Sequence, residues 1–164
     1  MPVRRFVMIL GVLVWVAIAP AAETDPLLSK AEAAKLIGQP VVGPKVMGPE
    51  KDDDAPAQAT HWSYLAKDSM VVVTRLDFAS AAEAKKYATP AFIKKQNDED
   101  EAKVTDEPGV GDKAFWTVTE EGCALSFLKG SHIANVAVGG KNIGSPDSHK
   151  SALKAAAIAI AAKL

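Results

Sequence analysis

The chain has 164 residues, 48% hydrophobic and 24% charged, with 19 basic against 20 acidic side chains and a formal net charge of −1. That length suits one globular domain around one core, and the near-neutral balance excludes the strongly basic face on which nucleic-acid binding rests. Cys123 is the only cysteine, which excludes an intrachain disulfide and leaves the fold to stand on its core alone.

The chain opens with Arg4 and Arg5, an apolar run from Phe6 to Ala19, and the small residues of Ala19-Pro20-Ala21. This pattern predicts a secretory signal peptide over residues 1–21, cut after Ala21 or Ala22. The run is shorter than the roughly 20 apolar residues of a spanning helix, so a retained anchor is the weaker reading and no stable membrane span is expected after cleavage. Phe6 follows the arginine pair directly and no cysteine stands near the cut, which excludes twin-arginine export and lipoprotein processing. Cleavage would remove two positive charges and no acid, taking the net charge to −3. The predicted location is periplasmic or secreted.

Residues 22–28 read as a spacer, and a single domain is expected over residues 29–164. Ser29-Lys-Ala-Glu32 is a capping box, because the Ser29 oxygen faces the third helical amide while Glu32 reaches back to the Ser29 amide. A helix follows from Lys30 to Ile37, with Leu28, Leu36 and Ile37 inward and with Gly38 and Pro40 stopping it. Val41 to Met47, broken by Gly43 and Pro44, reads as an irregular edge strand, and Gly48 to Ala59 as a solvated loop. Within that loop Asp52-Asp53-Asp54 lacks the alternate spacing and the central Gly of a calcium loop, so no metal site is expected.

His61 to Ala66 and Met70 to Phe78 form a predicted hairpin, with Trp62 and Tyr64 on one face and Met70, Val72, Leu76 and Phe78 as core positions. Ser80-Ala-Ala-Glu83 is a second capping box, opening a helix from Ala81 to Lys94 or Lys95 that Pro90 kinks or ends near Thr89. The two helix starts are alike enough to suggest a duplication, although capping boxes rich in Ala and Lys are common. Gln96 to Pro108 is a charged, solvated stretch with a short strand from Ala102 to Thr105.

Gly109-Val110-Gly111-Asp112 is a tight turn, since both glycines accept backbone angles that other residues resist. Three strands follow as a meander. Lys113 to Thr119 is the first, and a Lys129-Gly130 turn joins the next two, setting Phe127 opposite His132, Leu125 opposite Ala134 and Cys123 opposite Val136. Cys123, Leu125, Phe127, Val136 and Val138 then share the core face, with His132 at its end. After the loop from Gly139 to Gly144, Ser145-Pro146 opens a helix from Asp147 to Lys163 whose Leu153, Ala156, Ala157, Ile160 and Leu164 would lie on the sheet.

No catalytic signature survives inspection. Gly109-Val-Gly111 leads into a strand and lacks the third glycine of a dinucleotide site, and Gly139-Gly140-Lys141 lacks the spacing of a phosphate loop. Ser151-Ala-Leu-Lys154 matches Ser-x-x-Lys but without its companion motifs. A Cys123–His132 thiolate pair is separated along the strands by the hairpin register. No motif implies a cofactor.

The opening Leu28-Ser-Lys-Ala-Glu-Ala-Ala-Lys-Leu-Ile-Gly38-Gln-Pro-Val, the aromatic hairpin, the Gly109-Val-Gly-Asp112-Lys-Ala-Phe-Trp116 turn and the Lys-Gly hairpin resemble a pattern in small exported bacterial proteins, often lipoproteins, of unknown function. The resemblance covers most of the mature chain and implies an envelope-associated or secreted α+β domain. This sequence lacks the lipidated cysteine and the early paired cysteines of those proteins, and the resemblance carries over no catalytic residue.

The expected fold is α+β: an antiparallel sheet, hairpin plus meander, with about three helices packed mainly on one face. The expected function is a non-catalytic binding or interaction domain for a small molecule or an envelope protein, with Trp62, Gly109, Gly111, Asp112 and Trp116 as the candidate surface. The alternative is a small periplasmic enzyme with a site assembled from distant residues, using Cys123 or a His and a carboxylate.

Overall fold

The computed structural model describes residues 25–96, 102–141 and 143–164. The signal peptide expected over residues 1–21 lies outside the described residues, as does the middle of the charged stretch after Gln96. The described elements, in order, are α1 (Lys30–Ile37), β1 (Val42–Lys51), β2 (Ala57–Leu65), β3 (Ser69–Phe78), α2 (Ala81–Tyr87) and α3 (Pro90–Gln96). They continue with β4 (Lys103–Asp106), β5 (Lys113–Val118), β6 (Gly122–Lys129), β7 (His132–Gly140), a 3-10 turn (Pro146–His149) and α4 (Lys150–Ala161). The strands form one antiparallel sheet in the order β1-β2-β3-β7-β6-β5-β4. The α+β class is therefore as expected, and the β5-β6-β7 meander joins the earlier strands through the β3–β7 pair.

Alternation along the strands divides the core in two. On the first face Trp62, Tyr64, Val71, Val73, Trp116, Leu125, Phe127 and Val136 pack against α1 and α4, through Leu36, Ile37, Leu153 and Ile160. On the second face Ala59, Leu76, Phe78, Phe115, Leu128 and Ile133 pack against α2 and α3, through Ala84, Ala88 and Ile93. Helices thus cover both faces, where one had been expected. The β3 core positions are corrected accordingly: Val71 and Val73 fill the larger core, Leu76 and Phe78 the smaller, and Met70 is exposed.

Local chemistry explains the other departures. The α1 capping box is complete, with the Glu32 amide donating to Ser29 Oγ and the Ser29 amide donating to Glu32. At Ser80 only the first bond of the box is made, from the Glu83 amide. The stop expected near Thr89 is present: α2 ends at Tyr87, and Pro90, which has no amide hydrogen, starts a new helix. The edge strand β1 continues to Lys51, beyond the expected loop boundary, with register shifts between Val42 and Lys45 and between Met47 and Glu50 around Pro44 and Pro49. Prolines on an outer strand remove donors and discourage pairing with another chain.

The β6–β7 turn is Gly130-Ser131, so Lys129 pairs with His132, Phe127 with Ala134, Leu125 with Val136 and Cys123 with Val138. This differs from the expected register by a shift that keeps every side chain on its face. The last helix begins as a 3-10 turn at Pro146, and α4 starts at Lys150. Leu28 is buried, as expected of an inward contact of α1, Leu27 beside it is buried too, and the Tyr64 hydroxyl donates to the Leu28 carbonyl. The packed domain therefore begins before Ser29.

Candidate functional site

The sequence-selected surface separates into two parts. Gly109, Gly111 and Asp112 are exposed, whereas Trp62 and Trp116 are only 0% and 5% exposed, so the tryptophans belong to the core and present no binding surface. Their strands are also kept apart in the sheet by β3, β7 and β6. The glycine-aspartate turn has a structural duty. Val110 enters the larger core, the Asp112 amide donates to the Leu128 carbonyl at 2.7 Å, and Asp112 Oδ2 accepts from the Gly130 amide at 2.9 Å. The turn thereby clasps the β6–β7 hairpin.

Trp116 is held in a second clasp. Its indole Nε1 donates to Glu107 Oε2 at 2.6 Å, and Lys154 of α4 donates to Glu107 Oε1 at 2.5 Å. Lys154 first, and then the indole, hold the Glu107 carboxyl below its usual range.

Cys123 is buried and its thiol donates to the Pro146 carbonyl at 3.1 Å. Burial pushes the thiol up to about 11, the opposite of what an attacking thiolate requires. The structure does bring together a histidine and a carboxylate, as the alternative reading required. His132 Nδ1 lies 2.7 Å from Asp77 Oδ1, and Ser131 Oγ lies 3.5 Å from His132 Nε2. Asp77 is, however, also bound by Arg75, whose Nε and Nη2 donate to Oδ2 at 3.0 and 2.9 Å. The neighbouring Gly130 amide, an obvious oxyanion donor, is taken by Asp112. Among the described residues no group of three or more His, Cys, Asp or Glu side chains could hold a metal ion.

A different feature stands out on the second face. Helices α2 and α3 have seven residues each, about 10 Å apiece, whereas a strand such as β3, with ten residues, runs about 33 Å. They roof one half of the sheet and leave the other half open. Beyond a polar belt, in which Asn135 Nδ2 donates to Ser126 Oγ at 3.0 Å and His61 Nδ1 lies 3.0 Å from Thr74 Oγ1, the sheet surface forms a groove of about 570 Å³.

Register explains the groove's shape. Its floor is two cross-strand pairs of small residues, Gly122 with Gly139 and Ala124 with Ala137. Met70 and Val72 rise from β3 on one side, and Thr117 of β5 with Thr119 just beyond it on the other. Among the described residues, Lys67, Asp68 and Glu121, from the turns at the open end, bring the only formal charges to the lining. The central row Val72, Ala137, Ala124 and Thr117 holds no charge, although the solvated face of an antiparallel sheet is ordinarily polar. Sequence alternation had placed Met70 and Val72 in the core; what it missed was that two short helices would leave this part of the face bare.

Thr117 carries the sharpest signal. The residue is 2% exposed, and its Oγ1 is shut off from solvent with no hydrogen-bond partner among the described residues. A buried hydroxyl without a partner destabilises a fold by about 1–3 kcal/mol, so such groups are few in native proteins. Thr60 Oγ1 is likewise unpartnered, but it belongs to the opposite face, where the register sets Thr60 beside Arg75. Only Thr117 borders the groove.

No protein-family model matches the sequence, and no curated protein matches it. Among the described residues, no helix is long and apolar enough to cross a membrane.

Proposed function

We propose that this chain is an exported, non-catalytic binding domain that holds a small, mostly apolar ligand in the open groove over β6 and β7. The observation that carries the reading is Thr117, a buried hydroxyl without a partner in the wall of a cavity large enough for a small molecule. An apolar floor supplies affinity by burial, and one hydroxyl supplies orientation. The leader-like segment over residues 1–21 supports export to the periplasm or the medium. The protonated, buried Cys123 and the Arg75-bound Asp77 weigh against the enzyme alternative.

The test is a titration with the neutral solvatochromic dye Nile red, comparing the wild-type protein with Ala137→Trp, which fills the floor from the solvent side. Saturable, blue-shifted fluorescence with the wild type, abolished in a folded Ala137→Trp, is the expected result. No saturable signal with the wild type, or an unchanged signal in the variant, overturns the reading.

A further inference from the structure

Resting on that reading, we infer that the ligand is a flat, uncharged aromatic molecule of two or three fused rings bearing one hydrogen-bonding oxygen on its edge. The floor is level because its four side-chain positions are Gly122, Gly139, Ala124 and Ala137, so nothing larger than a methyl group projects from it. The walls stand on β3 and β5, three strand spacings apart, which is about 14 Å between backbones and roughly 8 Å once the Val72 and Thr117 side chains are allowed for. Along β6 the distance from Gly122 to Ser126, in the polar belt that bounds the floor, is about 13 Å. The slot is thus wide, shallow and flat.

A fused ring plane fills that shape, with its face on the alanine methyl groups and its edges at the walls. A single extended acyl chain is roughly half as wide as the slot and would leave voids along both sides, forfeiting contacts that a plane retains. Met70, 44% exposed on the β3 wall, is the side chain best suited to a ring edge, because its flexible thioether adapts in shape and sulfur–aromatic contact is favourable. Thr117 stands on the other wall, one row further along, across from Val72. Thr117 is itself only 2% exposed, so its oxygen serves a group on the ring edge after rotation about χ1 together with a small shift of the side chains that cover it. The central row offers no charge to pair with an ionised ligand, and an unpaired charge over this floor would be desolvated without compensation.

Nuclear magnetic resonance of the Met70 methyl group tests this, using 2-naphthol as the flat probe, naphthalene as the same plane without the oxygen, and 1-dodecanol as the chain. The expected result is a saturable ring-current shift of the Met70 methyl with 2-naphthol, and weaker binding of naphthalene. Thr117→Val should weaken 2-naphthol by between about twofold and tenfold, as loss of one neutral hydrogen bond implies, and leave naphthalene unchanged. Saturable binding of 1-dodecanol at Met70 with none of 2-naphthol overturns the ring inference while the groove remains a binding site. Failure of all three probes overturns both. Equal binding of 2-naphthol by the wild type and Thr117→Val overturns the role given to the hydroxyl.

Discussion

Asp112 and Gly130 are joined across eighteen positions of chain by a 2.9 Å hydrogen bond from the Gly130 amide to Asp112 Oδ2. The bond ties the turn that launches β5 to the turn that links β6 and β7, so the meander is closed at one end by a side chain. Its partner interaction, Asp112 amide to Leu128 carbonyl, sets the same two segments in register. Asp112→Ala should lower stability by about 1 kcal/mol in urea unfolding, and Asp112→Asn, which keeps an acceptor oxygen, should recover most of the loss. No loss of stability in Asp112→Ala would show that the bond contributes nothing.

The two glycines of the turn differ in what surrounds them. Gly109 has a φ of +84° and open space where a Cβ would point, while Gly111 has a φ of +57° and a Cβ there would collide with the Leu128 carbonyl oxygen. Gly109→Ala should therefore cost about 1 kcal/mol, for the left-handed backbone alone, and Gly111→Ala upward of about 2 kcal/mol, because backbone must also move. Urea unfolding of the pair measures the order, and the reverse order would refute this account of the turn.

Lys154 and Trp116 together hold the Glu107 carboxyl below its ordinary 4.5. A carboxylate with a lowered folded-state pKa contributes stability that is present above its unfolded value and is lost as pH falls through the folded one. Wild-type stability should therefore decline as pH drops below about 4.5, and Glu107→Gln should decline less steeply over the same window. Some slope will remain, since Glu32 is lowered in the same direction by Ser29. Identical acid profiles would contradict the clasp.

At the alkaline end the sign is reversed. Burial raises Cys123 from 9.0 to about 11, so the stability of the neutral thiol is complete below pH 9 and is lost as pH rises towards 11. Cys123→Ala should flatten the stability profile between those values, leaving the later decline from Tyr64, which burial raises to about 12. A thiol reagent at pH 8 should label the native protein slowly and the urea-unfolded protein at once. Fast native labelling would restore Cys123 as a candidate nucleophile.

Much of the fold was legible because its signals are local. The Ser29 capping box, the Gly38 stop and the alternation from Cys123 to Val138 each depend on residues a few positions apart, and each appears in the structure. The hairpin register was off because Lys129-Gly130 and Gly130-Ser131 are both acceptable two-residue turns. In the turn that forms, the Gly130 amide is held by Asp112, eighteen positions away, a contact that local sequence does not reveal. The tryptophans left the candidate surface for a related reason: Trp62 and Trp116 are amphipathic side chains whose burial depends on α1 and α4 lying over them. The groove was not legible at all, since its bare floor follows from the shortness of α2 and α3, which Pro90 imposes from outside it.

Thr117→Val puts the central claim to the most direct test, because a site kept for a ligand and a side chain kept for the fold predict opposite signs. Valine replaces the unpartnered hydroxyl with a methyl group of nearly the same shape. In the absence of ligand the variant should be more stable than the wild type, by about 1 kcal/mol in urea unfolding, and it should bind 2-naphthol more weakly. A variant that is less stable than the wild type and binds the probe equally well would mean that the hydroxyl serves the fold, and that the groove over β6 and β7 is not a site built for a ligand.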